Sequence, residues 1–100
     1  MKHLTINNIY IFKLVTGEEL IAKVVGKSDD AVEVSNPINM ILTPQGLQMV
    51  PSLFSAEPGR TIQLNNSSWV MTADAREDVK NSWIEATTGI RPVTKQIITG

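Results

Sequence analysis

Short β-branched runs separated by turn residues constrain the fold of this chain more than any other feature. Residues 9–15 read IYIFKLV and residues 20–27 read LIAKVVGK, with a Thr-Gly-Glu corner between them in which Gly17 suits a positive φ. A third predicted strand covers residues 31–35 and resumes at residues 38–42, and further strands are predicted at residues 47–50, 61–64 and 69–72. Five or six short strands at such turn spacings predict a small, mainly β barrel.

Prolines divide the middle of the chain. Pro37 lacks the amide that a ladder needs, so we expect it to interrupt the third strand between residues 35 and 38. The segment PSLFSAEPGR contains two prolines and Gly59, which predicts a loop with Leu53 and Phe54 tucked inward.

The apolar period becomes helical near the C-terminus. The stripe consists of Val79, Trp83, Ile84 and Ala86. This spacing predicts a helix over residues 75–88. Asp74 as N-cap, Glu77 three residues later and Gly89 at the C′ position supply start and stop signals. The tail IRPVTKQIITG alternates apolar residues, which predicts a final edge strand or an arm to a neighbouring molecule.

The sequence has no internal repeat, low-complexity segment or linker, so we expect one domain over residues 1–100. The barrel would cover about residues 9–73, and the helix and tail residues 74–100. The polar start MKHLTINN and the lack of a run of ~20 apolar residues predict a soluble, cytoplasmic protein with no membrane partner.

Composition disfavours several classes of function. Nine Lys and Arg against ten Asp and Glu give a net charge of −1, whereas nucleic-acid-binding proteins usually carry a basic patch. The absence of cysteine excludes disulfides, thiol catalysis and cysteine-based zinc sites. His3 is the single histidine and lies near the N-terminus, which argues against a histidine metal site. We expect no cofactor and no bound metal.

Catalytic patterns are also missing from the sequence. The adjacent acids Glu18-Glu19 and Asp29-Asp30 both lie in predicted hairpin turns, where acidic side chains are usually solvated. No phosphate-binding or dinucleotide-binding glycine motif is present, and the interpretation is a non-enzymatic protein. Trp83 lies on the helical stripe and is expected to pack in a core or interface. Trp69 begins a strand, and the sequence leaves two roles open for its side chain: packing in the core or contact with a ligand.

Residues 11–34, IFKLVTGEELIAKVVGKSDDAVEV, resemble the first Sm motif of the Sm/LSm family. The motif has a glycine, an apolar, a small, an apolar and an aspartate position. In this chain they are occupied, in that order, by Gly17, Leu20, Ala22, Val24 and Asp29. Residues 62–72, IQLNNSSWVMT, resemble the second Sm motif. The resemblance implies a small, strongly bent, five-stranded antiparallel Sm-like (SH3-like) barrel, followed here by the C-terminal helix.

The resemblance extends over nearly the whole chain to the short Sm-like proteins of marine T4-like bacteriophages that infect cyanobacteria. It is carried by KLVTGEELIAKV, the NP in the third strand, VPSLFS, and the late helix running into TGIRPVTKQIITG. A phage origin would imply the cytoplasm of the host cell as the location.

Two departures from the family bear on function. Sm proteins that grip uridine use a Met-Asn pair and an Arg-Gly pair, where this chain has Ala31-Val32 and Gln63-Leu64. Valine cannot make the base-edge hydrogen bonds of asparagine, and the arginine charge and stacking plane are lost. The usual uridine pocket is therefore predicted to be absent. The eight residues before Ile9 are also too short for the family's N-terminal helix.

The resemblance further implies a homo-oligomeric ring, because Sm subunits pair their fourth and fifth strands with those of neighbours. The implied interface residues are Thr61, Ile62, Leu64, Trp69, Val70 and Met71. If RNA is the partner, the implied contact residues are Lys27, Asp29, Asn65, Asn66, Ser68 and Trp69.

Three functional hypotheses follow. The first is a ring that acts as a binding module, with RNA as the partner that the family implies. The second is a phage structural or host-interaction ring that binds a protein and no nucleic acid, which the acidic balance favours. The third is a monomeric SH3-like barrel.

Overall fold

A computed structural model describes residues 4–53, 55–57 and 59–88. The six strands are β1 (Ile9–Leu14), β2 (Glu19–Lys27), β3 (Ala31–Thr43), β4 (Gly46–Pro51), β5 (Thr61–Asn65) and β6 (Trp69–Asp74). A single 3-10 turn at Asn66–Ser68 joins β5 to β6, and one α-helix, α1, spans Glu77–Thr88. The mainly β architecture with a C-terminal helix is thereby confirmed. Within the described residues, the structure contains no helix with the length and apolarity needed to cross a membrane.

The strands form one antiparallel sheet in the order β4-β3-β2-β1-β6, and β5 also pairs with β3. The 13-residue β3 accommodates two partners on one side: its first five residues pair with β5, and residues 38–43 pair with β4. The expected five strands are therefore six in the described part of the chain, because the strand opposite β3 is divided in two between Pro51 and Thr61. The result is compatible with a small β-barrel-like fold.

The interruption predicted at Pro37 is wrong, because β3 continues through it. Asn36 adopts a positive φ of 51°, and the register of β2 against β3 shifts between Ile21 and Lys23. The carbonyl of Pro37 accepts a hydrogen bond from the Ser52 amide at 3.0 Å. Proline is tolerated here because an irregularity in the ladder removes the need for its missing amide.

The predicted hairpin between β1 and β2 is confirmed. Gly17 has a φ of 97° and its amide donates to the Leu14 carbonyl at 2.9 Å. The Leu14 amide in turn donates to the Glu18 carbonyl at 2.8 Å. A side chain at position 17 would strain this corner, because L-residues rarely adopt that φ.

Both faces of the sheet are buried, because alternate residues of β2 enter different apolar clusters. The first cluster contains Leu4, Tyr10, Phe12, Leu20, Ala22, Val24, Val32 and Val34. The second contains Ile21, Ile38, Met40 and Trp83. Successive strand residues point to opposite faces, so β2 contributes Leu20, Ala22 and Val24 to one cluster and Ile21 to the other. Helix α1 covers the second cluster through Trp83.

Helix α1 begins later than the sequence predicts. Asp74 is not its N-cap but the last residue of β6, opposite Tyr10 in β1. Acidic residues Glu77 and Asp78 instead occupy the first turn, and the Asp78 carboxylate accepts the Val79 amide at 2.9 Å. The strand pairing of Asp74 takes precedence over its capping preference. The predicted C′ residue, Gly89, lies outside the described residues.

The burial predicted for side chains of the helical stripe and of the loop after β4 is confirmed only in part. Trp83 is buried as expected, whereas Ile84 and Ala86 are exposed. The expected inward position of Leu53 is wrong, because 52% of it is exposed. Phe54, His3 and the tail at residues 89–100 lie outside the described residues.

Candidate functional site

Two chain segments that are far apart in sequence meet at one end of the sheet. The Asn66 amide donates to the Asp30 carbonyl at 2.8 Å, and Asn66 Nδ2 donates to the Asp29 carbonyl at 3.4 Å. Asn65 lies opposite Ala31 in the β3–β5 ladder. The structure therefore brings together Asp29, Asn65 and Asn66, three of the residues that the sequence proposed for ligand contact.

The remaining polar candidates in this region are engaged by the protein itself. Ser68 Oγ donates to the Asn65 carbonyl at 2.6 Å, which closes the 3-10 turn. Lys27 Nζ donates to the Leu4 carbonyl at 2.7 Å, so the ammonium group holds the N-terminal segment against the sheet. These hydrogen bonds give both side chains a structural role in the free protein.

The same N-terminal segment also contacts Tyr10. The Thr5 amide donates to the Tyr10 hydroxyl at 2.8 Å. This hydrogen bond favours the phenolate and so lowers the pKa of Tyr10 below its ordinary value. Burial of the hydroxyl acts in the opposite direction and raises the pKa. Leu4, 6% exposed, closes the first cluster beside this contact.

Trp69 is half-buried, and the structure favours core packing for it over an open stacking platform. Its ring meets that of Phe12 edge to face, with centroids 5.2 Å apart and planes at 69°. Its indole Nε1 is buried and has no hydrogen-bond partner among the described residues, and the same holds for Asn66 Oδ1. The indole therefore packs against the core through its ring contacts.

A groove of about 940 Å³ runs beside β6. Its lining residues are Ile11, Lys13, Glu19, Asn66, Trp69, Val70, Met71, Thr72 and Ala73. Two of these residues, Lys13 and Glu19, form an exposed ion pair at 3.8 Å, and exposed pairs of this kind contribute little to stability. The sequence prediction missed Ile11, Lys13 and Glu19 because their position beside β6 depends on the strand register.

Each of β5 and β6 has one side without a strand neighbour in the described sheet. β5 pairs with β3, and β6 pairs with β1. The outer strand β6 exposes 60% of Val70 and 67% of Met71. The predicted interface residues therefore form two groups. Thr61, Val70 and Met71 are exposed. Ile62, Leu64 and Trp69 are half-buried and pack against the first apolar cluster.

The described residues contain no group of three or more His, Cys, Asp or Glu side chains arranged to hold a metal ion. A separate charged contact lies at the start of α1, where Arg76 donates to the Asp78 carboxylate at 2.6 and 3.1 Å. This contact lowers the pKa of the Asp78 carboxyl and raises the pKa of Arg76. Both side chains are exposed, and neither belongs to the two segments that the Asn66 hydrogen bonds join.

Comparison with known proteins adds no relative: no family model and no curated protein matches this chain.

Proposed function

We propose that this chain is a non-enzymatic, Sm-like module that assembles into a homo-oligomeric ring by pairing β5 of one copy with β6 of the next. The observation that carries the proposal is the pair of open strand edges, one at each end of the sheet. Unpaired amides and carbonyls on such edges favour pairing with another chain unless something covers them.

The position of the two edges supports a ring rather than a closed dimer. β5 and β6 are different surfaces, so a contact between them joins copies head to tail. Repetition of a head-to-tail contact generates a ring when the rotation closes. The exposed Val70 and Met71 beside the β6 edge would supply apolar burial to the contact.

The resemblance to Sm motifs agrees with this arrangement. The first motif-like segment forms most of β1, all of β2 and the start of β3, and the second forms β5 and β6. In the sheet, β5 pairs with β3 and β6 pairs with β1. The single 3-10 turn at Asn66–Ser68 connects the two proposed contact strands. The ring would then present the loop pair of Asp29 and Asn66 once in every subunit.

The native mass of the full chain tests the proposal. Light scattering after size exclusion should give a multiple of the 11.0 kDa chain mass. The double variant Val70→Glu/Met71→Glu should lower that mass, because like charges on the edge oppose strand pairing. Leu42→Glu, an 82% exposed site on β3, is the matched control and should leave the mass unchanged. A wild-type mass near 11.0 kDa would contradict the ring and favour the monomeric barrel.

RNA binding is the second candidate function, and one observation favours it. The two loops that the Sm resemblance associates with RNA are joined by the Asn66 hydrogen bonds to residues 29 and 30. Against it stand the net charge of −1 and the replacement of the uridine-reading residues by Val32 and Gln63. The phage structural or host-interaction ring is therefore the preferred version of the proposal.

Filter binding separates these two versions. The assembled protein would be tested against U-rich and A-rich oligonucleotides at low and moderate salt, because phosphate contacts weaken as salt rises. The preferred version predicts no retention at micromolar protein. Retention that falls in an Asn66→Ala variant, with the native mass unchanged, would establish the RNA-binding version instead.

A further inference from the structure

The outer edge of β4 has no strand neighbour in the described sheet, where β4 pairs with residues 38–43 of β3. Native proteins usually protect such an edge with charged side chains or with proline. Most of β4 has neither, because residues 34–56 contain no charged residue and Pro51 is the last residue of the strand. Leu47 and Val50 point to opposite faces and are 49% and 40% exposed. The edge is therefore apolar and uncharged, and it lacks the usual protection against pairing.

One hydrogen bond fixes the direction of the backbone groups along this edge. The Ser52 amide, just beyond β4, donates to the Pro37 carbonyl of β3 at 3.0 Å. Successive residues of an antiparallel strand direct their amides and carbonyls to opposite sides, so the even-numbered residues of β4 also direct theirs to β3. The amides and carbonyls of Leu47 and Met49 consequently point away from β3, to the open edge.

These groups are spaced so that two copies of β4 can satisfy each other. In an antiparallel pair centred on Gln48, Leu47 of each copy lies opposite Met49 of the other, and each such pair exchanges an amide–carbonyl hydrogen bond in both directions. The amide and carbonyl of both edge-facing residues are thereby paired. Pro51, which has no amide to donate, stays outside the ladder.

A second copy of the chain is the partner that the chemistry of this edge fits. A two-fold contact sets a strand against the same strand, so a charged residue near the axis would meet its own charge, and like charges directly opposite destabilise a strand pair. Residues 34–56 avoid this cost because they are uncharged. Gln48, at the axis, has a side-chain amide that both donates and accepts, so it can bond to the amide of its own copy. The edge is therefore self-complementary in its backbone and in its side chains.

From these observations we propose that β4 is a self-association strand, which pairs antiparallel with β4 of a second copy across a two-fold axis at Gln48. The contact does not involve β5 or β6, so it is independent of the ring contact proposed above. Where rings form, their subunits are equivalent, so the two-fold axis joins one ring to a second ring. Leu42 lies on β3, one strand in from the edge, and takes no part in the pairing.

Complementary charges at position 48 test the two-fold axis directly. Gln48 is exposed, so the full-length variants Gln48→Glu and Gln48→Lys should both fold. Each variant alone places like charges opposite each other and should lose the β4 contact, whereas an equal mixture at low salt should restore it. Hydrogen exchange resolved at single residues is the readout.

The amides of Leu47 and Met49 should exchange roughly tenfold faster in each variant alone than in the mixture. The amides at positions 48 and 50 are the internal control, because they point to β3 and should exchange equally in all three samples. Equal exchange of the Leu47 and Met49 amides in the separate variants and in their mixture would overturn the proposal.

Disulfide capture locates the contact without added charge. The chain has no cysteine, so a single introduced cysteine forms disulfides only between copies. Gln48→Cys should cross-link at least roughly tenfold faster than the control Leu42→Cys, because residue 48 meets its own copy within the disulfide distance. The control site is open to chance encounters, since Leu42 is 82% exposed.

Equal rates of cross-linking at the two positions, or faster cross-linking at position 42, would overturn the proposal. The readout is a rate and not a native mass. Failure of β4 pairing and failure of the ring are therefore distinguishable.

Discussion

Trp83 links helix α1 to the sheet, and its removal should cost more than any other single change in the helix. Its side chain is 4% exposed, packs in the second cluster with Ile38 and Met40, and donates from Nε1 to the Asn36 carbonyl at 2.9 Å. Trp83→Ala removes both the apolar burial and the hydrogen bond, and such truncations cost about 3–5 kcal/mol. Trp83→Phe keeps most of the burial and leaves the carbonyl of Asn36 without its donor, at about 1–2 kcal/mol.

Urea unfolding at a fixed protomer concentration measures these losses, because assembly would make the apparent stability depend on concentration. Ile84→Ala is the matched control in the same helix, since Ile84 is 38% exposed and should cost less than about 1 kcal/mol. The expected order of destabilisation is Trp83→Ala, then Trp83→Phe, then Ile84→Ala. A Trp83→Ala loss no larger than that of Ile84→Ala would refute the assignment of α1 to the second core.

Three further changes have expected outcomes. Gly17→Ala should lower the free energy of unfolding by about 1 kcal/mol, because alanine is strained at the φ of 97° that Gly17 adopts; thermal melting measures the loss. Trp69→Phe should lose less than about 1 kcal/mol, because the buried indole Nε1 has no described hydrogen-bond partner; a loss as large as that of Trp83→Ala would contradict this. Arg76→Gln should raise the pKa of the Asp78 carboxyl in an NMR titration, since the guanidinium holds it low. Because that pKa is lowered on folding, the stability it contributes is present at neutral pH and lost as pH falls through the folded value.

Strand positions were predictable because β-branched runs and turn residues act locally. The β1–β2 corner depends on the φ of Gly17, and the sequence locates it to the residue. The start of α1 was not predictable in this way, because Asp74 can either cap a helix or end a strand. Its pairing opposite Tyr10, 64 positions earlier in the chain, selects the strand.

The outcome at Pro37 has the same origin. Local preference predicts a break there, but β3 is held on both sides by partners from distant parts of the sequence, β2 on one side and β4 and β5 on the other. The exposed position of Leu53 likewise depends on how the loop after β4 turns away, which a run of prolines and small residues does not specify.

The candidate site was predictable in part. The Sm resemblance implied that Asp29 and Asn66 are contact residues, and in the structure the Asn66 side chain donates a hydrogen bond to the Asp29 carbonyl. The groove beside β6 was not anticipated, because Ile11 and Lys13 reach it only through the antiparallel register of β1 with β6. A register of this kind depends on tertiary pairing and not on local residue preference.

The native mass of the wild-type chain, measured with and without RNase treatment, tests the central claim most directly. We expect a defined multiple of 11.0 kDa that RNase leaves unchanged, because the contact proposed for the β5 and β6 edges involves protein alone. A species at 11.0 kDa under both conditions would contradict the ring, and a mass that falls on RNase treatment would contradict assembly by the strand edges alone.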